Sequence, residues 1–310
     1  MKINNLKIFS IVCLSLFAFT SCDKDNLLEE EQYKKVIYLL SDGNDNLFNY
    51  SHALNDSIST GYITVGCGGT IASEKTIKVT LEIDTMPLYK YNRKNFDIEY
   101  DKYAKLLDPS RFVLPSKNTE IRIGDKHGLT HLPIEVNANG LSPDTTYIIP
   151  ISIKTSDIEV NKEKSNVLYR VDLMNKYSDE GKRLYSMKGI KQEGNKREMT
   201  ISKVKDLIPI DKNKVRFYPS NIPGYAPDSD RPENTELKFI EDNSILLLVK
   251  DDNTVKIKAY KNLDIEPLDT PSFYDPEKET FHLYYRYKLK TDDVWTRIEE
   301  HLERVDPYKN

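Results

Sequence analysis

The chain has few cysteines: there are 3 among 310 residues, Cys13, Cys22 and Cys67. The first two fall in a leader segment that we expect to be removed or lipid-modified, which leaves Cys67 alone in the folded part. We therefore expect no intramolecular disulfide and no zinc site built from several cysteines. Folded domains of about 100 residues or more can rely on buried apolar surface instead of cross-links.

Long hydrophobic runs are also missing. The longest apolar stretch, Ile8–Phe19, is shorter than the roughly 20 residues that span a bilayer core, so a transmembrane helix is the less favoured interpretation. Two lysines precede this stretch and small residues followed by Cys22 come after it, which is the layout of a lipoprotein signal. We predict that residues 1–21 form a signal peptide and that Cys22 carries a lipid. The charged residues 22–34 then form a flexible tether, or an ordinary solvated terminus.

The sequence has no surplus of positive charge: 45 Lys and Arg against 49 Asp and Glu give a formal net charge of −4. We therefore expect no nucleic-acid partner. The sequence also lacks a Gly-x-Ser-x-Gly nucleophile turn, and Cys67 has no recognisable histidine partner. Acidic pairs are too frequent for any two to be chosen as a glycosidase pair. We predict no enzyme activity, no catalytic residues and no cofactor.

Metal-ligand patterns are weak. His127 and His131 are four residues apart, but a glycine separates them and the segment runs into a strand, whereas zinc proteases carry such a pair on a helix. Asp42–Asn46 is better explained as an Asx turn than as a calcium loop, because it lacks the closing glutamate. We interpret His282 and His301 as solvated residues of strand faces and not as a catalytic dyad. No metal site is predicted.

Short β-rich runs separated by Gly, Pro, Asn and Asp dominate from Val36 onward. The clearest run is Thr76–Asp84, in which apolar residues alternate with Lys, Thr and Glu, the period of a strand with one buried face. Seven such runs predict an immunoglobulin-like β-sandwich over residues 35–174. We also predict a short helix at Tyr100–Leu107, which the following Asp-Pro step ends.

A polar stretch, Met174–Gly181, is predicted to link the sandwich to a second series of strands. About eight runs follow, one of them at Glu236–Ile240, and Asn and Asp turns separate several of them. A sequential meander of this size hides its edges when it rolls up. For residues 182–308 we therefore favour an antiparallel β-barrel of the lipocalin type over a second sandwich. The predicted fold class is all-β.

Five segments carry a resemblance to a known family. They are Gly61–Val65, Leu107–Pro115, Leu141–Ile151, Tyr185–Gly189 and Tyr274–Tyr287. These segments resemble the two-domain surface lipoproteins of gut Bacteroidetes, which combine an immunoglobulin-like domain of the DUF1735 type with a barrel-like domain of the DUF4361 type. The acidic residues after Cys22 are similar to the signal that sends such lipoproteins to the outer face of the outer membrane. The resemblance implies this architecture and location and, more weakly, glycan or surface binding.

Tyrosine is abundant and tryptophan is rare: there are 20 tyrosines, 10 phenylalanines and 1 tryptophan. Trp295 shares strand parity with charged residues and should face outward, where an indole can stack on a sugar or cap the core. The proline-rich loop Phe217–Pro232 either holds its tyrosines ready for a ligand or is a plain crossover. A tethered N-terminus makes the second domain distal, so we place the ligand site there. The predicted ligand-binding residues are Tyr218, Tyr225, Tyr274 and Trp295.

Together these features predict a non-enzymatic, surface-exposed lipoprotein of the outer membrane that binds a glycan or a host surface, for nutrient capture or adhesion. In nutrient capture its partner would be an outer-membrane uptake system. The alternative is a structural component of a surface or fimbrial assembly, in which strand edges make the contacts. A glycan-active enzyme is the third interpretation.

Overall fold

The computed structural model describes residues 31, 33–43, 45–55, 57–125, 128–179, 184–219 and 237–305. Within these ranges the chain forms twenty β-strands and two short α-helices, which confirms the predicted all-β class. The strands form four sheets, two in the first half of the chain and two in the second. In the same ranges, no helix combines the length and the apolar character required to cross a membrane.

The first half contains ten strands and one α-helix, α1 (Met86–Phe96), which follows the fourth strand. The strands are β1 (Ile37–Leu39), β2 (Leu47–Ala53), β3 (Ser59–Cys67), β4 (Ile77–Ile83), β5 (Lys105–Leu106), β6 (Phe112–Val113), β7 (Asn118–Ile121), β8 (Leu129–Val136), β9 (Tyr147–Ser156) and β10 (Asn166–Met174). One sheet has the order β1-β3-β8-β6, and the other has the order β2-β10-β9-β4-β7 with β5 beside β9. Most neighbours are antiparallel, but β2 runs parallel to β10 and β5 runs parallel to β9.

The two N-terminal sheets face each other across an apolar core. Along β4, Ile77, Val79 and Leu81 are at most 1% exposed, whereas Lys78 between them points to solvent. Ile63, on β3 of the other sheet, belongs to the same core. Full burial of each such side chain stabilises the fold by roughly 1.5–3 kcal/mol. The predicted immunoglobulin-like sandwich is confirmed.

The connection between β4 and β6 differs from the prediction. The helix expected at Tyr100–Leu107 is wrong, since a short 3-10 turn at Tyr100–Lys102 and strand β5 occupy that segment. The actual helix, α1, buries only Leu88 and Asn92. It therefore has no apolar stripe that would reveal it in the sequence. Its Asn92 side chain instead exchanges two 2.9 Å hydrogen bonds with the backbone of Ala104, which fixes the chain entering β5.

The second half contains ten strands and one α-helix, α2 (Leu237–Asn243). The strands are β11 (Leu184–Glu193), β12 (Met199–Asp206), β13 (Ile208–Asp211), β14 (Lys214–Phe217), β15 (Ile245–Val249), β16 (Val255–Ala259), β17 (Asp264–Pro267), β18 (Phe273–Asp275), β19 (Thr280–Lys288) and β20 (Thr296–Arg304). The larger sheet has the order β12-β11-β20-β19-β17 with β18 beside β19, and the smaller has the order β13-β14-β15-β16.

The two C-terminal sheets curl around a single core, as predicted for a barrel-like antiparallel domain. Only Leu207 separates β12 of the larger sheet from β13 of the smaller, so the chain turns directly from one to the other. Met187 and Leu302 of the larger sheet and Val215 and Leu247 of the smaller sheet are all fully buried in this core.

One predicted strand of the second half is wrong. The run Glu236–Ile240 was expected to be a strand, but residues 237–243 form α2. The ring of Phe239 lies edge-on to Tyr218 with centroids 5.5 Å apart, and Ile240 is 4% exposed. Leu, Lys and Glu are good helix formers, and Tyr218 from outside the helix packs against its Phe239 ring.

The two halves meet at a turn stabilised by Asn175. Its side-chain amide donates to the backbone oxygens of Asp211 at 2.6 Å and Lys214 at 2.9 Å, both in the second half. The turn lies inside the linker predicted at Met174–Gly181, and residues 180–183 fall outside the described ranges. The exact domain boundaries therefore stay a prediction.

Candidate functional site

The outward side of the larger C-terminal sheet, here called the outer face, carries several ring side chains that reach the surface. Along β20, Thr296, Ile298, Glu300 and Leu302 are buried, so the residues between them point outward. Along β19 the even-numbered residues from 282 to 288 point the same way, because the odd-numbered ones are buried. Two groups of aromatic side chains lie on this face, one near each end of β20.

The first group surrounds Trp295. Its indole is half-buried immediately before β20, with the guanidinium carbon of Arg286 5.0 Å and Nζ of Lys288 5.9 Å from the ring centroid. Such cation–π contacts contribute about 0.5–1 kcal/mol at exposed positions. Arg286 in turn donates through Nε to Glu266 at 2.8 Å. The structure therefore places the indole on the outward side, within a set of charged hydrogen-bonding groups.

The second group lies about 20 Å further along β20, six residues from Trp295 at roughly 3.4 Å each. His282 and His301 are directly opposite each other on β19 and β20, and their Nδ1 atoms are 2.6 Å apart. Phe273 stacks on His282 with centroids 4.4 Å apart and an interplanar angle of 12°. Tyr284 approaches His301 edge-on at 6.4 Å. The group is a surface platform of four rings, of which Phe273 and His301 are exposed and the other two are partly buried.

The contact between His282 and His301 was not predicted from the sequence. Partial burial, and secondarily the charge of His301, lower the pKa of His282. Both histidines were expected on solvated strand faces, and both do lie on the outer face, where they contact each other. In a hairpin, each step back along the first strand is matched by one step forward along the second. In the register of the hairpin between the last two strands, this counting places residue 282 opposite residue 301.

Two predicted ligand-binding residues are buried, and this corrects their expected role. Tyr274 is 2% exposed and lies edge-on to Tyr177 with ring centroids 5.0 Å apart. Burial raises the pKa of Tyr274 to about 12. Tyr218 is 5% exposed, and its backbone oxygen accepts a hydrogen bond from Lys205. Both tyrosines serve the core because their apolar rings gain more from burial than from a solvent position.

The remaining predicted site residues are Tyr225, Cys22 and Trp295. Tyr225 and Cys22 lie outside the described residues, so their roles stay predictions. Trp295 is the one predicted ligand-binding residue that the described structure places at the surface.

Inside the barrel-like domain lies a buried charged pair that the sequence did not reveal. Lys205 is 2% exposed and Glu300 is 0% exposed, with Nζ and Oε2 4.0 Å apart. The hydroxyl of Tyr285 donates to Oε1 of Glu300 at 2.6 Å. Burial lowers the pKa of Lys205 to about 8 and raises the pKa of Glu300. Both side chains lie inside the core of the barrel-like domain, so we assign the pair to the stability of the fold.

A polar groove of about 570 Å³ lies on the sandwich, where β7 and β8 of the two sheets approach each other. Its lining is Asn118, Thr119, Glu120, Arg122, Asp125, Leu129, Thr130 and His131. The hydroxyls of Thr119 and Thr130 are 3.0 Å apart, and Nδ1 of His131 is 2.8 Å from the hydroxyl of Thr64. Because the lining contains no aromatic ring apart from the imidazole, it suits a sugar face less well than the outer face does.

Comparison with known proteins identifies the family. A family model described as an N-terminal domain matches residues 33–160, and one described as a C-terminal domain matches residues 165–303. A multidomain protein including DUF1735 from Bacteroides ovatus has the same fold, with a TM-score of 0.60 and 16% identity, over 88% of this chain and 94% of that chain. The chain belongs to this family of two-domain Bacteroides proteins. The resemblance predicted from the sequence is thereby confirmed.

Two further structures of the same architecture resemble the chain. One is a Bacteroides ovatus protein of unknown function, with a TM-score of 0.62 and 15% identity over 87% of this chain and 94% of that chain. The other is an auxiliary nutrient binding protein from Bacteroides thetaiotaomicron, with a TM-score of 0.58 and 12% identity over 86% of this chain and 93% of that chain. No curated protein matches the chain in sequence. At these identities the likeness is one of fold.

Proposed function

We propose that this protein is a non-enzymatic binding protein of the cell surface, lipid-anchored to the outer membrane through Cys22, and that it holds a glycan on the outer face around Trp295. The observation that carries the proposal is the half-buried indole, held in place by Arg286 and Lys288. A fixed ring loses little conformational entropy when a sugar stacks on it.

The side chains around the indole fit the polar part of a sugar. Arg297 lies directly opposite Arg286 in the strand register, and each arginine is paired with a carboxylate, Glu299 for the first and Glu266 for the second. Hydroxyl groups of a glycan are both donors and acceptors, so alternating guanidinium and carboxylate groups can satisfy them in either orientation. The fold is similar to that of a protein named for nutrient binding, and this likeness of architecture supports a role in glycan binding by analogy.

The binding test compares two exposed aromatic residues. Glycan-array screening followed by isothermal titration should find a ligand whose affinity falls at least tenfold, about 1.4 kcal/mol, in Trp295→Ala. Tyr89→Ala is the matched control. Tyr89 is 58% exposed on α1, which belongs to the sandwich and not to the domain that carries the outer face. Equal affinity in the wild type and Trp295→Ala would contradict the proposed site. Turnover of the bound glycan would identify an enzyme instead.

The anchor is tested separately by metabolic labelling with a fatty acid. Wild-type protein and Cys67→Ser should incorporate the label, and Cys22→Ser should not. Surface proteolysis of intact cells should then degrade the wild-type protein, whereas protection from the protease would contradict an outward-facing location.

The alternative function, assembly through strand edges, is favoured by one observation. Strand β12 is eight residues long and stands at the end of the larger C-terminal sheet, with Met199 48% and Val204 55% exposed. Such an edge is a template for another strand. Concentration-dependent self-association of the purified protein, abolished by Val204→Pro and accompanied by no glycan binding, would favour assembly over ligand capture.

A further inference from the structure

The imidazoles of His282 and His301 have the arrangement of two ligands that share one metal ion. We propose that they form a two-histidine site for a divalent late transition metal, Cu²⁺ foremost, on the outer face of the larger C-terminal sheet. The proposal is independent of the proposed glycan site, which lies around Trp295 at the other end of β20.

The backbone brings the two nitrogens together. His282 and His301 are paired residues of neighbouring antiparallel strands, so their Cβ atoms leave the sheet side by side on one face. Their rings meet at 73° with centroids 4.6 Å apart, and their Nδ1 atoms lie within hydrogen-bonding distance of each other. In the metal-free pair one Nδ1 carries the shared proton. That proton moves to Nε2 of the same ring when a metal takes its place, so each imidazole stays neutral and offers a lone pair.

The spacing of the nitrogens selects the kind of metal. At a metal–nitrogen distance of about 2.0 Å, two ligands at right angles lie about 2.8 Å apart, whereas two tetrahedral ligands lie about 3.3 Å apart. The hydrogen-bonded Nδ1 atoms are 2.6 Å apart, so the pair has to open least to reach the right-angled spacing. Right-angled neighbours occur in the tetragonal geometry of Cu²⁺ and Ni²⁺, and Cu²⁺ also binds nitrogen sites most strongly among the first-row divalent ions.

Neighbouring rings hold the pair in this orientation. Phe273 stacks on His282 at 4.4 Å, and Tyr284 approaches His301 edge-on at 6.4 Å. Contacts outside the ligand shell that fix ring orientation commonly change metal affinity 10–100-fold. The stacked phenylalanine is therefore a positioning residue for the site.

The remaining coordination positions fall to solvent. No group of three or more metal-ligating side chains occurs in the described part of the chain, so water completes the shell. His301 is exposed, which gives an ion and its waters access. Glu299 and Glu303 flank His301 on the outward side of β20, whereas Lys188 faces His301 from β11. Glu299 is paired with Arg297, and Asp275 is paired with Lys278 near His282, so the surrounding charges nearly balance and the two imidazoles themselves define the site.

The test is a Cu²⁺ titration of the tag-free protein, followed by calorimetry and electron paramagnetic resonance. The wild type should bind one Cu²⁺ at this site and show coupling to imidazole nitrogen, with weaker binding of Ni²⁺ and Zn²⁺. His282→Ala and His301→Ala should each abolish this signal, and Phe273→Leu should weaken the affinity about tenfold.

Matched controls keep the test decisive. His131→Ala removes an exposed histidine of the sandwich and should leave Cu²⁺ binding unchanged, as should Trp295→Ala. Circular dichroism and thermal unfolding establish that each variant is folded. If either substitution in the pair unfolds the protein, His282→Gln and His301→Gln replace it. The proposal would be overturned if Cu²⁺ binding at this site persisted in the His282→Ala or the His301→Ala variant. It would also be overturned if the wild type bound no Cu²⁺.

Discussion

Arg216 donates two hydrogen bonds to the carboxylate of Asp144, at 2.6 and 2.5 Å, and this pair joins the barrel-like domain to the sandwich. The guanidinium also lies 4.7 Å from the ring centroid of Tyr260. Burial alone would lower the pKa of Arg216, but the hydrogen bonds and the charge of Asp144 outweigh it and raise the pKa. The two domains are therefore coupled through a largely buried, charge-assisted contact.

The first prediction concerns this contact. Asp144→Asn leaves a buried guanidinium without its counter-charge, which should lower the free energy of unfolding by about 3 kcal/mol. Urea denaturation followed by tryptophan fluorescence and far-ultraviolet circular dichroism measures the loss. Trp295 reports on the second half alone, whereas circular dichroism reports on both halves. The two unfolding transitions should therefore no longer coincide when the coupling is lost. Glu159→Gln, which breaks the exposed pair with Lys34, is the control and should leave the free energy of unfolding nearly unchanged.

The second prediction concerns the buried pair Lys205 and Glu300. Lys205→Met removes one partner and leaves a carboxylate in the core, which should cost about 3–5 kcal/mol. The double substitution Lys205→Met with Glu300→Leu should recover most of that loss, since a buried ion pair is often no more stabilising than apolar residues of similar volume. Equilibrium denaturation of both single variants and the double variant measures the coupling. Additive losses would show that the two groups do not interact.

The third prediction concerns Gly189 of β11, which is paired with Glu300 of β20. A Cβ at this position would lie 2.2 Å from the backbone oxygen of Glu299 and 2.9 Å from Cα of Glu300. Backbone atoms cannot move aside as a flexible side chain can, so Gly189→Ala should cost about 3 kcal/mol or more. Gly68→Ala is the control, because its nearest neighbour would be an ordinary contact at 3.7 Å. Thermal unfolding distinguishes the two, and equal melting temperatures would contradict the crowding.

The sequence predicts the features that depend on local patterns. The alternation around Ile77 identifies β4 and its buried face, and strand parity correctly separates Trp295 from the buried side of β20. Side chains whose environment depends on distant segments escape this reasoning. Lys205 looks like any surface lysine in a strand, yet the fold places it in the core beside Glu300. The partnership of His282 likewise requires the register of a hairpin, which periodicity alone does not supply.

The fourth prediction concerns His52, which is fully buried in the sandwich, with Nε2 2.9 Å from the hydroxyl of Tyr169. Burial lowers its pKa from 6.5 to about 4. In the unfolded chain the imidazole takes up a proton near pH 6.5, whereas in the folded chain it stays neutral until about pH 4. The unfolded state therefore binds more protons in this window, and stability falls as the pH is lowered. A shift of this size corresponds to about 3 kcal/mol between pH 6.5 and 4.

His52→Gln keeps a polar group near Tyr169 without titrating, so its free energy of unfolding should change less over the same range than that of the wild type. Urea denaturation at a series of pH values measures both slopes, and parallel slopes would show that His52 is not the group responsible.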